Sequence, residues 1–370
     1  MKLPRLSVIT DQLRQQHYPL GHVLALDGLR GAMTIGVVLA HVRRALVPGA
    51  IAFMDMFFAM SGYFITALLL REWDRSGSLH IGRFYRRRFL RIVPPFAAMI
   101  VVYILVCAWL LPDLHRTLLD AALASAYVMN LIRAGLLPQV SAPSVSYLGH
   151  TWSLALEEQF YLLWPWLLAV LLMTIGPGRR LLGLLITMIA AASAWRLWLA
   201  MTGTPIGRLY NGPDTRADAL LVGCALAVGM RLVAPATWPR VTPWLKRMAW
   251  PLLALLIVES VWFFSDANPL YYYAGPLLLG ALPGAMIILV MTHTSHTVLH
   301  TVFEAPALTF VGRIFYGVYL WHFPILSIMN WHFHLRAGTR AFTGIPLTFI
   351  AALLSYTWIE RHFMRTTGDA

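Results

Sequence analysis

Two side chains in the first apolar segment have the types and the spacing to act on one ligand. Arg30 and His41 lie eleven residues apart in the run LDGLRGAMTIGVVLAH, which ends at His41. In a helix, eleven residues turn to within about 20° of three full turns and rise about 16–17 Å. Both side chains are therefore expected on one helix face.

An arginine can hold a phosphate through two parallel hydrogen bonds, and a histidine can take and return a proton near neutral pH. Arg30 and His41 could therefore bracket a long ligand whose anionic end stays beside the arginine. Alternatively, Arg30 reaches lipid headgroups and His41 bonds to a neighbouring helix. The spacing alone leaves both interpretations open.

A cluster of four arginines could also hold phosphate groups. It lies in the run FYRRRFLRIVPP, residues 84–95, and consists of Arg86, Arg87, Arg88 and Arg91. If this run is helical, Arg91 shares a face with Arg87 and Arg88. The cluster could serve only as an anchor against anionic headgroups, and it could also cradle a phosphorylated ligand.

Two adjacent carboxylates open a further apolar segment, in the run GHTWSLALEEQFYLLWP at residues 149–165. Glu157 shares a helix face with Tyr161, and Glu158 points about 100° away. One of them could orient or charge-balance a histidine or an arginine on another helix. A structural role fits the pattern equally well.

Other polar residues sit inside apolar runs. Arg216 and Asp218 begin one segment and are expected to pair, locally or across helices. Ser61 and its glycine neighbour form a small pair that allows two helices to approach closely. Tyr319 and His322 lie on one polar stripe of an aromatic segment, where His322 could be a second site residue or a packed histidine.

The composition shows which elements must position these residues. The 370 residues are 59% hydrophobic and 12% charged, and the mean hydropathy is +0.66. This excludes an ordinary soluble enzyme and favours a membrane protein built from spans of about 20 apolar residues. The net charge of +13 is carried mostly in short loops beside apolar segments, so no nucleic-acid partner is expected.

Eleven apolar stretches are candidate spans. They cover 28–47, 50–70, 92–111, 118–136, 153–175, 181–201, 216–233, 249–265, 270–291, 308–330 and 343–360. The arginine-rich loop at 71–91 is expected in the cytoplasm by the positive-inside rule, as are the basic loops near 179–180 and 234–248. These three loops can all be cytoplasmic only if one of the stretches between 92 and 175 fails to cross the membrane. The stretch at 118–136 is the most polar of these.

We therefore predict an all-α integral membrane protein with about ten transmembrane helices and one additional interfacial or re-entrant helix near 118–136. A single membrane domain is expected over 1–370 in a bacterial plasma membrane. Both termini are expected in the cytoplasm, as an N-terminal segment at 1–25 and a tail at 361–370.

Taken together, five segments resemble the acyltransferase-3 superfamily of integral membrane O-acyltransferases. They occur in the family's order across nearly the whole chain. They are the Arg30–His41 spacing, FFAMSGYFIT at 57–66, RRRFLRIVP at 86–94, TWSLALEEQFY at 151–161 and FYGVYLWH at 315–322. Members of the family transfer an acyl group, usually acetyl from acetyl-CoA, to hydroxyls of glycans and macrolides.

The resemblance implies roles for particular residues. Arg30 and His41 would be essential, and the arginines at 86–91 would engage the donor from the cytoplasm. Glu157 and Glu158 match the family's acidic pair and would act in catalysis. Supporting or substrate-contacting roles are expected for Ser61, Trp152, Ser153, Tyr161, Arg216, Asp218, Tyr319 and His322.

Two departures from the family pattern also matter. Phe315 stands where members usually have a serine, which puts any role of that hydroxyl in doubt. Many members carry an additional extracytoplasmic esterase-like domain, and this chain is expected to be a stand-alone form.

The predicted function is transfer of an acyl group, expected to be acetyl, from cytoplasmic acyl-CoA to a hydroxyl. The acceptor would be a cell-envelope carbohydrate, a glycolipid or a macrolide-type molecule, reached directly or through a separate extracytoplasmic transferase. His41 would deprotonate the hydroxyl or carry the acyl group itself. Acyl-CoA is expected as a co-substrate, with no tightly bound cofactor and no metal ion.

Two other functions are compatible with buried polar groups. A transporter or flippase would use them to line a translocation path, although no repeated half with matching broken helices is visible. An unrelated membrane acyltransferase with a histidine in a buried tunnel would catalyse the same class of reaction without requiring the Arg30–His41 spacing.

Overall fold

The protein is an assembly of helices joined by short connections. The structure is a computed structural model that describes residues 23–111, 113–138, 146–262 and 268–363. The helices are α1 (Leu24–Val42), α2 (Ala50–Ser76), α3 (Ile81–Leu110), α4 (Leu114–Ser125), α5 (Met129–Arg133), α6 (Thr151–Thr174), α7 (Arg179–Met201), α8 (Ile206–Asn211), α9 (Pro213–Leu232), α10 (Trp238–Trp262), α11 (Tyr271–His293), α12 (Val298–Phe303), α13 (Pro306–Arg313), α14 (Phe315–Trp331) and α15 (Ala337–Phe363).

Eight of the helices in the described part of the chain are long and apolar enough to cross a bilayer, namely α1, α2, α3, α6, α7, α10, α11 and α15. The prediction of an all-α integral membrane protein is confirmed. Two further predicted spans lie on other helices. Helix α9 has 20 residues but carries four charged side chains, and α14 has 17 residues.

The stretch at 118–136 forms two short helices rather than one span. Helices α4 and α5 are separated by a turn in which Tyr127 has a left-handed backbone, with φ of 53°. Helix α4 has 12 residues, or about 18 Å of rise, which is too short for a hydrocarbon core of about 30 Å. This agrees with the expectation that the stretch does not cross.

The single span predicted over 308–330 is wrong, because the chain changes direction at Ile314, between α13 and α14. Helix α13 lies directly against the start of α1. A Cβ added to Gly312 would come within 1.8 Å of the Asp27 carbonyl oxygen, and one on Gly31 within 2.1 Å of the Leu308 oxygen. Glycine is therefore required for this backbone contact, which periodicity alone did not reveal.

Small residues also join α2 to α9. A Cβ on Gly62 would lie 2.0 Å from the Leu220 carbonyl oxygen, and one on Gly223 would lie 1.9 Å from that of Ala59. Because the backbones touch, packing between these helices leaves no room for side chains at the crossing. The small pair that includes Ser61 therefore serves close helix approach, as the sequence indicated.

Arg216 and Asp218 each form an ion pair with a different helix. Arg216 donates to Asp55 of α2 at 2.6 and 2.8 Å, and Asp55 also accepts a hydrogen bond from the Tyr271 hydroxyl at 2.7 Å. Asp218 accepts from Arg196 of α7 at 2.6 Å. All four charged side chains are fully buried, so the two residues hold α9 to its neighbours.

Substitution of Asp55 by asparagine is expected to destabilise the protein by about 3–5 kcal/mol, because it leaves the buried Arg216 guanidinium without its counter-charge. Thermal unfolding in detergent micelles measures the change. The matched control is Asp214→Asn, whose carboxylate pairs with Arg208 but is 36% exposed, so a loss of about 1 kcal/mol or less is expected. Equal losses in both variants would contradict this account.

Candidate active site

An arginine-lined cavity of about 500 Å³ opens where α2, α3 and α6 meet, and it is called here the arginine cavity. Ser61 and Tyr161 lie at its inner end, and Glu72 and His80 lie near the turn between α2 and α3. Its arginines are Arg71, Arg75, Arg83, Arg87, Arg88 and Arg91. Six guanidinium groups against one carboxylate make the lining strongly attractive to a polyanion.

Three of the four arginines predicted to bind the donor line this cavity. These three are Arg87, Arg88 and Arg91. Arg86 points about 100° away from Arg87 around the axis of α3, and its side chain is exposed outside the cavity. The sequence does not single out Arg71, Arg75 and Arg83 as ligands, because the positive-inside rule already explains basic residues in the loop at 71–91. Their position on helices that continue past the predicted loop brings them into the cavity.

Arg88 is fixed in place by two neighbours. Its Nη2 and Nε donate to the Glu158 carboxylate at 2.6 and 3.2 Å, and its guanidinium lies 3.2 Å from the centre of the Tyr161 ring. A bidentate ion pair with a cation–π contact holds the guanidinium in one orientation. Glu158 thus acts through Arg88 and contributes no free carboxylate to the cavity.

Glu157 points toward α2, where its Oε1 accepts a hydrogen bond from the Ser61 hydroxyl at 2.8 Å. Glu158 balances an arginine on another helix, which is one of the partners that the sequence left open, and neither carboxylate bonds to His41. Their hydrogen bonds go to Ser61 and Arg88, and among the described residues the imidazole of His322 contacts His41. The sequence could not show which helix faces each carboxylate.

Arg30 lies beside the arginine cavity. It is paired with Asp27 at 3.0 Å, and its guanidinium carbon lies 4.5 Å from the centre of the Phe64 ring, which lines the cavity. It also lies 5.5 Å from the ring centre of Phe315. Helix α1 runs unbroken from Leu24 to Val42, so Arg30 and His41 are separated by the expected rise of about 16–17 Å.

His41 occupies the last turn of α1 and lines a second cavity, of about 120 Å³, called here the histidine cavity. The histidine cavity lies toward the start of α2, where Met54 lines it. The arginine cavity lies toward the other end of α2 and begins at Ser61. Its other polar and aromatic lining residues are Arg44, His150, Trp152, Tyr210 and Tyr319.

Hydrogen bonds define the tautomer of His41. The Nδ1 of His322 lies 2.7 Å from the Tyr319 carbonyl oxygen, so it carries the proton and leaves Nε2 as an acceptor. That Nε2 lies 3.2 Å from His41 Nδ1, which also lies 2.9 Å from the Val37 carbonyl oxygen. His41 Nδ1 must therefore be the donor, and the lone pair of His41 Nε2 remains available as a base.

Tyr319 connects the histidine cavity to α6. Its hydroxyl donates to the His150 carbonyl oxygen at 2.6 Å and lies 2.5 Å from the Ser153 hydroxyl. Ser153 is one turn before Glu157 on the same helix face. Tyr319 and Trp152 thus line the cavity with His41, His322 contacts His41, and Ser153 is joined to this group through Tyr319.

Sequence reasoning missed His150, which lies next to the other two histidines. Its ring centre is 5.4 Å from that of His322 and 5.0 Å from that of Phe323. Neither ring nitrogen makes a hydrogen bond among the described residues. Burial, with smaller contributions from His322 and His41, lowers the pKa of His150 well below its usual value. Its position directly before the TWS motif was the available signal.

The predicted residues Arg216 and Asp218 do not join either cavity lining, because their side chains are occupied in the ion pairs with Asp55 and Arg196. Their supporting role is therefore structural.

The comparison with known proteins decides the family. A family model described as an acyltransferase domain, Acyl_transf_3, matches residues 23–359. The chain belongs to the acyltransferase-3 family. The resemblance drawn from the five motifs is confirmed.

Three curated relatives show the extent of the similarity within the family. The peptidoglycan O-acetyltransferase OatA of Listeria monocytogenes is 33% identical over 356 residues, covering 94% of this chain and 56% of OatA. YrhL of Bacillus subtilis, provisionally named a peptidoglycan O-acetyltransferase, is 30% identical over 379 residues, covering 96% of this chain and 56% of YrhL. A Staphylococcus aureus protein provisionally named an O-acetyltransferase is 30% identical over 371 residues, covering 93% of this chain and 58% of that protein.

This acyltransferase-3 chain spans somewhat more than half the length of the curated relatives that it matches. No solved structure matches it.

The tautomer of His41 gives a prediction that is independent of activity. In ¹⁵N-histidine NMR spectra of the protein in nanodiscs, the His41 signals, assigned by their loss in His41→Gln, should show a protonated Nδ1 and an unprotonated Nε2. His322→Phe removes one of the two acceptors of the Nδ1 proton and leaves the Val37 carbonyl oxygen, so Nδ1 should stay protonated while its signal shifts. The exposed His362 serves as the control, and its signals should not change. An unchanged His41 in His322→Phe would refute the hydrogen-bonded relay.

Proposed function

We propose that this acyltransferase-3 chain is a membrane O-acetyltransferase that uses acyl-CoA bound from the cytoplasm. The observation that carries the proposal is the presence of two cavities at opposite ends of helix α2. A polyanion cavity with six arginines lies at one end, and a cavity around a tautomer-fixed histidine lies at the other. Such an arrangement suits a phosphorylated donor and a neutral acceptor that approach from opposite ends.

The donor end is assigned to the cytoplasm by charge. Arg71, Arg75, Arg83, Arg87 and Arg91 all lie on or beside the turn between α2 and α3, and clusters of this kind stay on the cytoplasmic side. With this orientation the N-terminal end of α1 is cytoplasmic too. The guanidinium groups would hold the donor phosphates, and Arg30 would lie beside the donor's arm where it leaves the cavity.

His41 would act on the acceptor hydroxyl. Its Nε2 lone pair takes the hydroxyl proton as the oxygen attacks the thioester carbonyl carbon. The carbon–oxygen bond forms, the carbon–sulfur bond breaks, and the proton passes from His41 to the departing thiolate. In an alternative order, Nε2 attacks the thioester carbon and the carbon–sulfur bond breaks to release the thiolate. The hydroxyl oxygen then attacks the acyl carbon, the carbon–nitrogen bond breaks, and the hydroxyl proton passes to the thiolate. The geometry supports a nucleophilic or basic Nε2 in either order.

The acceptor class is proposed from the relatives and the cavity. Two of the three named relatives carry the name peptidoglycan O-acetyltransferase, one of them provisionally. A cavity lined by Trp152, Tyr210 and Tyr319 offers aromatic faces and hydroxyls of the kind that bind sugar rings. A hydroxyl of a cell-envelope glycan, or of a carrier that leads to one, is the proposed acceptor.

The test uses the purified protein in proteoliposomes with acetyl-CoA labelled in the acetyl group and a cell-envelope glycan fraction as acceptor. Label should enter the glycan with release of free CoA, and His41→Ala should lower the rate at least about 100-fold, the usual contribution of a general base. Transfer at the wild-type rate by His41→Ala would refute its role. Movement of the glycan across the bilayer without CoA release would support a transporter instead.

The arginine cavity predicts which arginines set donor affinity. Arg87→Gln and Arg91→Gln should each raise the KM for acetyl-CoA about tenfold, since a hydrogen bond to a charged group contributes about 1.5–3 kcal/mol. Arg86→Gln is the matched control from the same helix and should change KM less than twofold. Acetyl-pantetheine, which lacks phosphate groups, should show no such difference among the variants. Equal effects at Arg86 and Arg87 would contradict the assignment.

A further inference from the structure

The arginine cavity and the histidine cavity are connected by one face of α2. Met54, Phe57 and Ser61 lie at positions i, i+3 and i+7, so they share that face. Met54 lines the histidine cavity and Ser61 lines the arginine cavity. Phe57 therefore stands between the two, within a rise of about 10 Å.

Helix α14 places a second phenylalanine at the same level. Phe315 lies one turn before Tyr319, which lines the histidine cavity, and its ring lies beside the guanidinium of Arg30 on the other side. The rings of Phe57 and Phe315 are stacked, with centres 6.3 Å apart and planes inclined by 17°. Two aromatic rings from two helices thus face each other between the cavities.

These rings differ from the packed aromatics around them. Phe58, the next residue on α2, is fully buried and makes an edge contact with Trp152. Phe57 and Phe315 are only partly buried although they lie in the middle of the bundle. Space therefore remains beside both rings, as a constriction between the two cavities would require.

We propose that the Phe57–Phe315 pair is a constriction that determines acyl-chain length, admitting a two-carbon acyl group and excluding longer ones. The proposal rests on the function proposed above, since it requires an acyl group to pass from the arginine cavity toward His41. When the thioester carbon reaches His41, an acetyl group would fit beside the ring edges, near the hydroxyls of Ser61 and Tyr319. A longer chain must displace a ring that is held by its partner and, for Phe315, by Arg30.

The experiment compares acetyl-, propionyl- and butyryl-CoA as donors, with CoA release and acyl transfer measured on the full chain in nanodiscs. Phe57→Ala and Phe315→Ala should each raise the ratio of kcat/KM for butyryl-CoA to that for acetyl-CoA at least tenfold. Phe57→Trp should lower the propionyl-to-acetyl ratio. The control is Phe342→Ala, at a side chain that is 83% exposed, and it should leave every ratio unchanged.

Thermal unfolding of each variant is measured alongside, and Phe57→Leu and Phe315→Leu provide milder openings if an alanine variant does not fold. These should raise the butyryl-to-acetyl ratio by a smaller factor. Active variants at both positions with the wild-type ratio would overturn the constriction while leaving the proposed function intact. Absence of CoA release from acetyl-CoA by the wild-type protein would overturn both.

Discussion

A polar group inside an apolar bundle has only other protein groups to bond with, because hydrocarbon offers no hydrogen bonds. This constraint explains most of the structure. Arg216 is matched by Asp55 and Arg196 by Asp218, and both pairs tie α9 to neighbouring helices. Glu157 and Ser61 satisfy each other between α6 and α2. Where polar side chains instead face open space, they gather around the two cavities, and these are the places where chemistry can occur.

In the proposed function, the two cavities divide group transfer between binding of charge and transfer of a proton. The arginine cavity offers several cations at one end of the α2–α3 hairpin, and the bidentate pair with Glu158 keeps Arg88 in a single orientation. The histidine cavity offers one lone pair, whose direction is set by a relay from the Tyr319 carbonyl through His322 to His41. The donor with phosphates and the acceptor with a hydroxyl that we propose would match these two ends.

Sequence periodicity predicted what lies within one helix. The common face of Arg30 and His41 holds because α1 is uninterrupted, and the small pair at Ser61 lies at a helix crossing. Relations between helices were harder to predict. The partners of Glu157 and Glu158 depend on which helices are neighbours, and the break at Ile314 depends on a backbone contact with α1. His150 precedes its apolar run, so hydropathy carried no information about it.

The bond between His322 and His41 joins positions 281 residues apart. The arginines from 71 to 91 are neighbours in the chain, so the anion-binding hairpin can assemble while the polypeptide is still being inserted by the translocon. The contact of His322 with His41 forms only when one of the last helices arrives. Under the proposed function, a partly inserted chain would therefore bind a donor before the histidine relay is complete.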